Sequence, residues 1–442
     1  MPVMVHSRSL PLLLAAEGAR TLLTLRLMER WSPAAVRERQ SRMLRRLVEH
    51  AAARVPFYRE RFRRAGVRPG DIRCAGDLAR LPVLDRAAVR DAGELLLDER
   101  VARDPSRLVK VSTTGSTGTP LQLRLSNADF ARSWAFFAYG LLACGGRLRD
   151  RYAQVQVPGP ARRPTPIERL GFMRQIYVDL REGPAAVLAD LVRLRPEVVY
   201  GYPSFLALAA RAAEEQRLPL PRPRRLITHG EVLTPATRAL LERAFGCPVR
   251  ECYGSAEVFR LAFECDHGTL HVPPTVAVVE ADPATRDADG FADVLVTPLY
   301  LRAMPLIRYR LGDRVRLAES PCACGLPFQG LRGVAGRCDD LLTLPGGRHV
   351  SARAVNLMED VPGVLEYRIV QKAPDRFEVQ VRAGAGFGAA SERAIESAIR
   401  DGCREPGIRV DVVRVERVPR TPNGKLAAVV SEVPAEPAGA RP

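Results

Sequence analysis

No stretch of this 442-residue chain is apolar for long enough to cross a bilayer, and no segment near the start reads as an export signal. Leu10 to Ala16 is apolar, but Glu17, Arg20, Arg26, Glu29 and Arg30 break up the run immediately after it, and no cleavage site is evident. A cytoplasmic location without integral membrane association is therefore expected. A disulfide framework is missing too: the nine cysteines are odd in number, and their grouping suits metal and free-thiol use. There is no internal repeat. The formal net charge is +17, yet the arginines are dispersed and form no compact motif, so no nucleic-acid partner is expected.

The segment from Thr113 through Thr114, Gly115, Ser116, Thr117 and Gly118 to Thr119 is a hydroxyl-rich glycine loop after the apolar stretch Leu108 to Val111. Such a loop can aim backbone N–H groups and hydroxyls at one phosphate. It lacks the lysine of a Walker A loop, because Thr119 and Pro120 follow Gly118, so the positive charge must come from elsewhere. Lys425 is the candidate, placed by the turn formers of Pro419 to Gly424 between two strand-like runs, Val412 to Val418 and Leu426 to Val430. A solvated lysine at a hairpin tip is the alternative reading. Two acids stand between these ends. Glu257, in Tyr253-Gly254-Ser255-Ala256-Glu257, suits Mg2+ beside phosphate oxygens, and Asp313, in Tyr309-Arg310-Leu311-Gly312-Asp313, suits a ribose diol.

Taken in order with Gly336-Arg337-Cys338-Asp339-Asp340, these motifs resemble the adenylate-forming superfamily of acyl-CoA synthetases, and within it the phenylacetate-CoA ligase (CapK-like) family. Val55-Pro56-Phe57-Tyr58, Tyr200-Gly201-Tyr202-Pro203-Ser204, His229-Gly230-Glu231 and Met304 to Arg310 extend the resemblance over nearly the whole chain. It implies an AMP-forming carboxylate-CoA ligase that uses ATP and Mg2+ to make an acyl-adenylate and passes the acyl group to coenzyme A. The loop Thr113 to Thr119 would then hold phosphate, Tyr253 would stack on adenine beside Gly254 and Ser255, and Glu257 would ligate magnesium. Asp313 would bind the ribose with Arg337 nearby, Asp339 would be the interdomain hinge, and Lys425 would stabilise the adenylation transition state. Two departures stand out. Ala256 occupies a place where relatives carry Thr or Ser, and Leu344 to Val350 lacks the Arg-Gly-x-Asn pattern expected after the hinge. The second leaves a carrier-protein thiol or an amine as alternative acceptors. A noncatalytic nucleotide- or carrier-binding module is the reading from outside the enzyme class.

Cys265, His267, His271, Cys322 and Cys324 form two clusters of soft donors. Cys265, His271, Cys322 and Cys324 are the set expected to hold a structural Zn2+, with His267 as the alternate ligand. The expected acyl pocket draws on Trp134, Phe137, Tyr202 and Phe259. Alternating strand-like and helical runs point to an α/β fold. A large multi-layer adenylate-forming N-terminal domain over residues 1–335 would precede a small mobile α+β C-terminal domain over 336–442. Ala34 to His50 reads as an amphipathic helix packed on the large domain, with a membrane-surface helix as the alternative. The sequence leaves the oligomeric state open, a homodimer included.

Overall fold

The structure, a computed structural model, describes residues 10–104, 106, 108–112, 121–157, 164, 166–337, 341–351, 355, 361–421 and 424–433. Its strands in chain order are β1 Val109–Ser112, β2 Gln122–Leu125, β3 Arg151–Gln156, β4 Arg174–Asp179, β5 Val198–Gly201, β6 Arg225–His229, β7 Val249–Tyr253, β8 Ala262–Glu264, β9 Leu270–Val272, β10 Ala277–Ala281, β11 Ala292–Pro298, β12 Tyr309–Leu317, β13 Gln329–Arg337, β14 Leu341–Thr343, β15 His349–Ser351, β16 Val364–Ala373, β17 Arg376–Ala383, β18 Arg409–Arg414 and β19 Val429–Ser431.

One 11-stranded sheet runs in the order β10-β11-β12-β13-β9-β8-β7-β6-β5-β3-β4. From β4 to β7 every neighbour is parallel, and from β7 onward every pair is antiparallel. The parallel strands are covered on both faces, which is why Val198, Val199, Tyr200 and Gly201 are all buried and show no alternation. The helices Pro184–Leu194, Pro203–Gln216 and Pro235–Phe245 connect them, each starting with proline, whose fixed φ and missing N–H suit the first turn.

A second, four-stranded sheet has the order β18-β17-β16-β19 and packs on the helix Ala389–Cys403, whose Ile395, Ile399 and Cys403 are fully buried with Phe377 and Val379. The large mixed α/β portion and smaller α+β portion match the expected fold class. β13 continues to Arg337, two residues past the expected boundary at 335. The runs flanking Lys425 are shorter than expected and do not pair: β18 and β19 lie on opposite edges of the small sheet, because β16 and β17 come between them.

The helix Pro33–Arg54 buries Val36, Leu44, Leu47 and Val48, so its apolar stripe is spent on the main core. Among the described residues no helix is long and apolar enough to cross a membrane. The helix Pro56–Ala65 carries Tyr58, whose buried hydroxyl donates to the Pro305 carbonyl at 3.0 Å and accepts from the Ile307 N–H at 2.7 Å. That pair of bonds fixes the segment leading into β12, and thereby the strand that presents Asp313.

Candidate active site and metal centre

In open α/β sheets ligands bind beyond the carboxyl ends of parallel strands. Here the adjacent strands β5, β6 and β7 end at Gly201, His229 and Tyr253, and a cleft of about 320 Å³ beyond them is lined by Pro203, Ser204, Gly230, Glu231, Tyr253 and Gly254. Asp313 and Lys425 line the same cleft. The Tyr253 hydroxyl donates to Asp313 Oδ2 at 2.7 Å, joining the expected adenine-stacking ring to the expected ribose carboxylate. Arg337 stands directly opposite Asp313 in the β12–β13 register.

Lys425 arrives from the small portion of the chain. Its turn is closed by Thr421 N to Lys425 O at 2.9 Å, Lys425 N to Thr421 Oγ1 at 3.1 Å, and a bridge between Arg420 and Leu426. Nζ lies 5.8 Å from the centre of the Tyr202 ring. A methyl group at Gly230 would come within 3.1 Å of Lys425 Nζ and of the Tyr202 ring, and Gly230 has φ +75°, so the backbone favours glycine there and the space is tight. Gly254 is fixed by contact alone, since a Cβ would overlap the Phe259 carbonyl oxygen.

Residues outside the expected site hold this arrangement. Glu231 Oε1 accepts from the Leu426 N–H at 2.7 Å, and Oε2 accepts from the Ser204 N–H at 3.1 Å, so one carboxylate ties the lysine turn to the helix after β5. Arg420 pairs with Glu366 and reaches Ser204 Oγ at 3.2 Å. His229-Gly230-Glu231 was visible as a motif, but only the fold shows that its acid touches the residue after Lys425.

Glu257 is buried, 3.6 Å from Arg86 Nη1 and 3.4 Å from the Tyr309 hydroxyl. Ser255 Oγ accepts from the N–H groups of Glu257 and Val258 at 3.1 and 3.3 Å. Accepting these two bonds leaves the Ser255 O–H as a donor, next to the expected but missing hydroxyl at Ala256. The loop residues Thr113 to Thr119 lie outside the described residues, between the paired strands β1 and β2; Asp339 lies outside them as well.

The expected pocket aromatics are linked ring to ring. Trp134 and Phe137, on the helix Asn127–Ala143, pack edge to face at 5.4 Å, and Phe137 meets Tyr200 at 5.7 Å. Tyr200 stacks on His229 at 4.0 Å with ring planes 5° apart, and His229 meets Tyr202 at 4.9 Å. Phe259 joins through Phe130, at 6.5 Å, and has a left-handed backbone with φ +56°. Burial, followed by the charges of Arg260 and Lys425, pushes the His229 pKa well below its usual value, so the ring is neutral.

The metal candidates converge because β9 pairs with β13, which brings His271 beside the loop that precedes β13. Donor atoms of Cys265, His271, Cys322 and Cys324 all lie within 4.8 Å of one another. Cys265 and Cys322 sulfurs are 3.7 Å apart, and Cys324 Sγ is 3.2 Å from His271 Nε2. Thiolates about 2.3 Å from a tetrahedral zinc stand roughly 3.8 Å from each other, so the sulfur spacing fits a shared ion and is too long for a disulfide. His271 Nδ1 faces the Phe328 carbonyl at 3.4 Å, so Nε2 is the ring nitrogen turned toward the cysteine sulfurs. Burial lowers the His271 pKa and keeps the ring neutral. Burial opposes ionisation of Cys322, yet the Cys324 backbone N–H and adjacent thiols outweigh it and bring its pKa down to about 7. His267 is exposed and stands outside this group.

No family profile matches the chain. Phenylacetate-coenzyme A ligase of Pseudomonas putida is 29% identical over 339 residues, covering 72% of this chain and 74% of that protein. The ligase of the same name from Thermus thermophilus is 29% identical over 374 residues, covering 80% and 82%. Among solved structures, 2-hydroxyisobutyryl-CoA ligase in a postadenylation state superposes with a TM-score of 0.75 at 22% identity, covering 92% of this chain and 91% of that one. The same ligase in its thioesterification state gives 0.60.

Proposed function

From the premise that the chain matches the phenylacetate-coenzyme A ligases at family level, we propose that it is an AMP-forming carboxylate-CoA ligase. The observation carrying this reading is the placement of Lys425 against Gly230, in one cleft with the hydrogen-bonded pair Tyr253 and Asp313. Asp313 accepts from the ribose hydroxyls, Tyr253 packs on the base, and Lys425 faces the position where charge builds as an acid carboxylate attacks the α-phosphorus of ATP and pyrophosphate leaves. The carboxylate is nucleophilic without a base. Lys425 acts as a point charge that lowers the repulsion between two anions. Glu257 would hold Mg2+, which supplies further charge neutralisation at the phosphates. Arg86 and Tyr309 already contact this carboxylate and hold it in place.

The thiol of coenzyme A then attacks the acyl-adenylate carbonyl and releases AMP. Under this reading the segment after 335 is a separate domain that turns about Asp339, withdrawing Lys425 and admitting the thiol. Cys265, His271, Cys322 and Cys324 would hold a Zn2+ whose role would be structural, since four protein donors would leave no open position. The enzyme works in the cytoplasm, where its two nucleotide cosubstrates are supplied.

Acid-dependent exchange of labelled pyrophosphate into ATP tests the reading across aryl, alkyl and amino acids. Lys425→Ala is expected to lower exchange by roughly a hundredfold or more, the scale for losing one preorganised charge-stabilising donor. Exchange unaffected by this change, or absent for every acid, overturns the proposal. Mass analysis of products separates coenzyme A from a carrier-protein or amine acceptor.

A further inference from the structure

Three buried polar atoms lack a hydrogen-bond partner among the described residues and lie on side chains that contact one another: the Tyr200 hydroxyl, His229 Nε2 and Arg260 Nε. Tyr200 and His229 are stacked, and the Arg260 guanidinium carbon lies 5.2 Å from the Tyr200 ring centre and 5.1 Å from that of Phe137. Tyr200 is 1% exposed and His229 is 7% exposed. Among the described residues, no carboxylate forms an ion pair with Arg260. Leaving a buried polar atom without a partner costs about 1–3 kcal/mol, so three of them on neighbouring side chains, with Arg260 itself half-buried, call for an explanation.

Its position says what it recognises. Arg260 meets the aromatic residues Phe137 and Tyr200, whereas the cleft formed by Gly230, Tyr253, Gly254, Asp313 and Lys425 does not include it. If Lys425 serves the reacting carboxylate and the phosphates, as the ligase reading has it, Arg260 is a second cation set among the aromatic rings and outside that cleft. A guanidinium offers a flat fork of donors suited to a carboxylate, and the neutral imidazole and phenol beside it can each add one hydrogen bond.

We propose that the acyl pocket selects acids bearing a second anionic group, of which dicarboxylic acids are the simplest class, with Arg260 pairing to that group beside Tyr200 and His229. This rests on the ligase reading above, and the experiment separates the two. Pyrophosphate exchange is measured with matched pairs, adipate against hexanoate and 4-carboxyphenylacetate against phenylacetate, for the natural protein, Arg260→Met and Arg260→Lys. The natural protein is expected to favour the diacid in kcat/KM by at least about tenfold, since a site built to pair a polar group discriminates strongly against its loss. That ratio should collapse in Arg260→Met and partly recover in Arg260→Lys. Equal use of both acids, preference for the monoacids, or an equal loss for both acids in Arg260→Met overturns the proposal while leaving the ligase reading intact. No exchange with any acid brings down both. Melting curves check folding, and if Arg260→Met does not fold, Tyr200→Phe decides through a severalfold rise in KM for the diacid alone; an unchanged KM counts against the proposal.

Discussion

Glu231 is the most discriminating place to perturb this molecule, because its two oxygens do different things. One accepts from Ser204 N–H in the large portion, and the other accepts at 2.7 Å from Leu426 N–H, adjacent to Lys425. Glu231→Gln keeps the shape and one acceptor but turns the other oxygen into an NH2 facing an N–H. A hydrogen bond to a charged acceptor contributes about 1.5–3 kcal/mol, so the arrangement with Lys425 in the cleft should lose about ten- to a hundredfold in population. The matching loss belongs to the first half-reaction only. Rapid-quench measurement of acyl-AMP formation is expected to slow by that factor, while thioester formation from supplied acyl-AMP and coenzyme A should change by less than about threefold, the ordinary scatter of a surface substitution. Adenylation at the natural rate would refute the idea that this carboxylate holds the lysine turn. An equal fall in both half-reactions would refute its link to one conformation.

Elemental analysis of the purified protein is expected to find one zinc per chain, and Cys322→Ser or strong chelation should lower the melting midpoint before it lowers exchange; absence of zinc withdraws the metal reading. Gly254→Ala forces a methyl into the Phe259 carbonyl and should cost about 1–3 kcal/mol of stability together with a higher KM for ATP, whereas an unchanged urea midpoint would contradict the close approach. The depressed His229 pKa means the unfolded chain binds the extra proton first. Stability should therefore be complete above the ordinary histidine value of 6.5 and decline as pH falls below it, with Glu231 and Tyr202 close by and Lys425 and Arg260 opposing protonation. Urea midpoints measured across that range should show this decline, and His229→Gln should reduce it; identical acid limbs in the two proteins would assign the decline elsewhere.

Sequence patterns made the strands legible where both faces are buried, as in Val198 to Tyr200, because continuous apolar runs between helices have few other uses. The motif residues Tyr253, Asp313 and Lys425 were legible one by one, and the fold brings them to a single cleft. Pairing was less visible. The runs on either side of Lys425 would pair only under the alternative hairpin reading, and β16 and β17 separate them, since pairing depends on partners far away in sequence. Tyr58 was seen only as part of a motif, although its hydroxyl bridges to Pro305 and Ile307, nearly 250 residues distant. Arg86 and Arg260 carried no local signal at all, because arginine is so abundant in this chain that neither one stands out.

That abundance sharpens the meaning of Lys425. Lys110, Lys372 and Lys425 are the only lysines in the chain, and Lys372 pairs with Glu432 at the surface. A sequence that places arginine at nearly every other basic position keeps the slender ammonium where Gly230 and Tyr202 leave little width. Arginine would bring a planar fork that spreads its charge and needs flat partners, whereas lysine delivers a compact charge along an aliphatic stem. The positive φ and missing side chain of Gly230, the Glu231 anchor at Leu426 and the thin reach of Lys425 are thus one adaptation. They place a charge carried by the small portion of the chain at the carboxyl ends of β5, β6 and β7, where open parallel sheets gather their ligands.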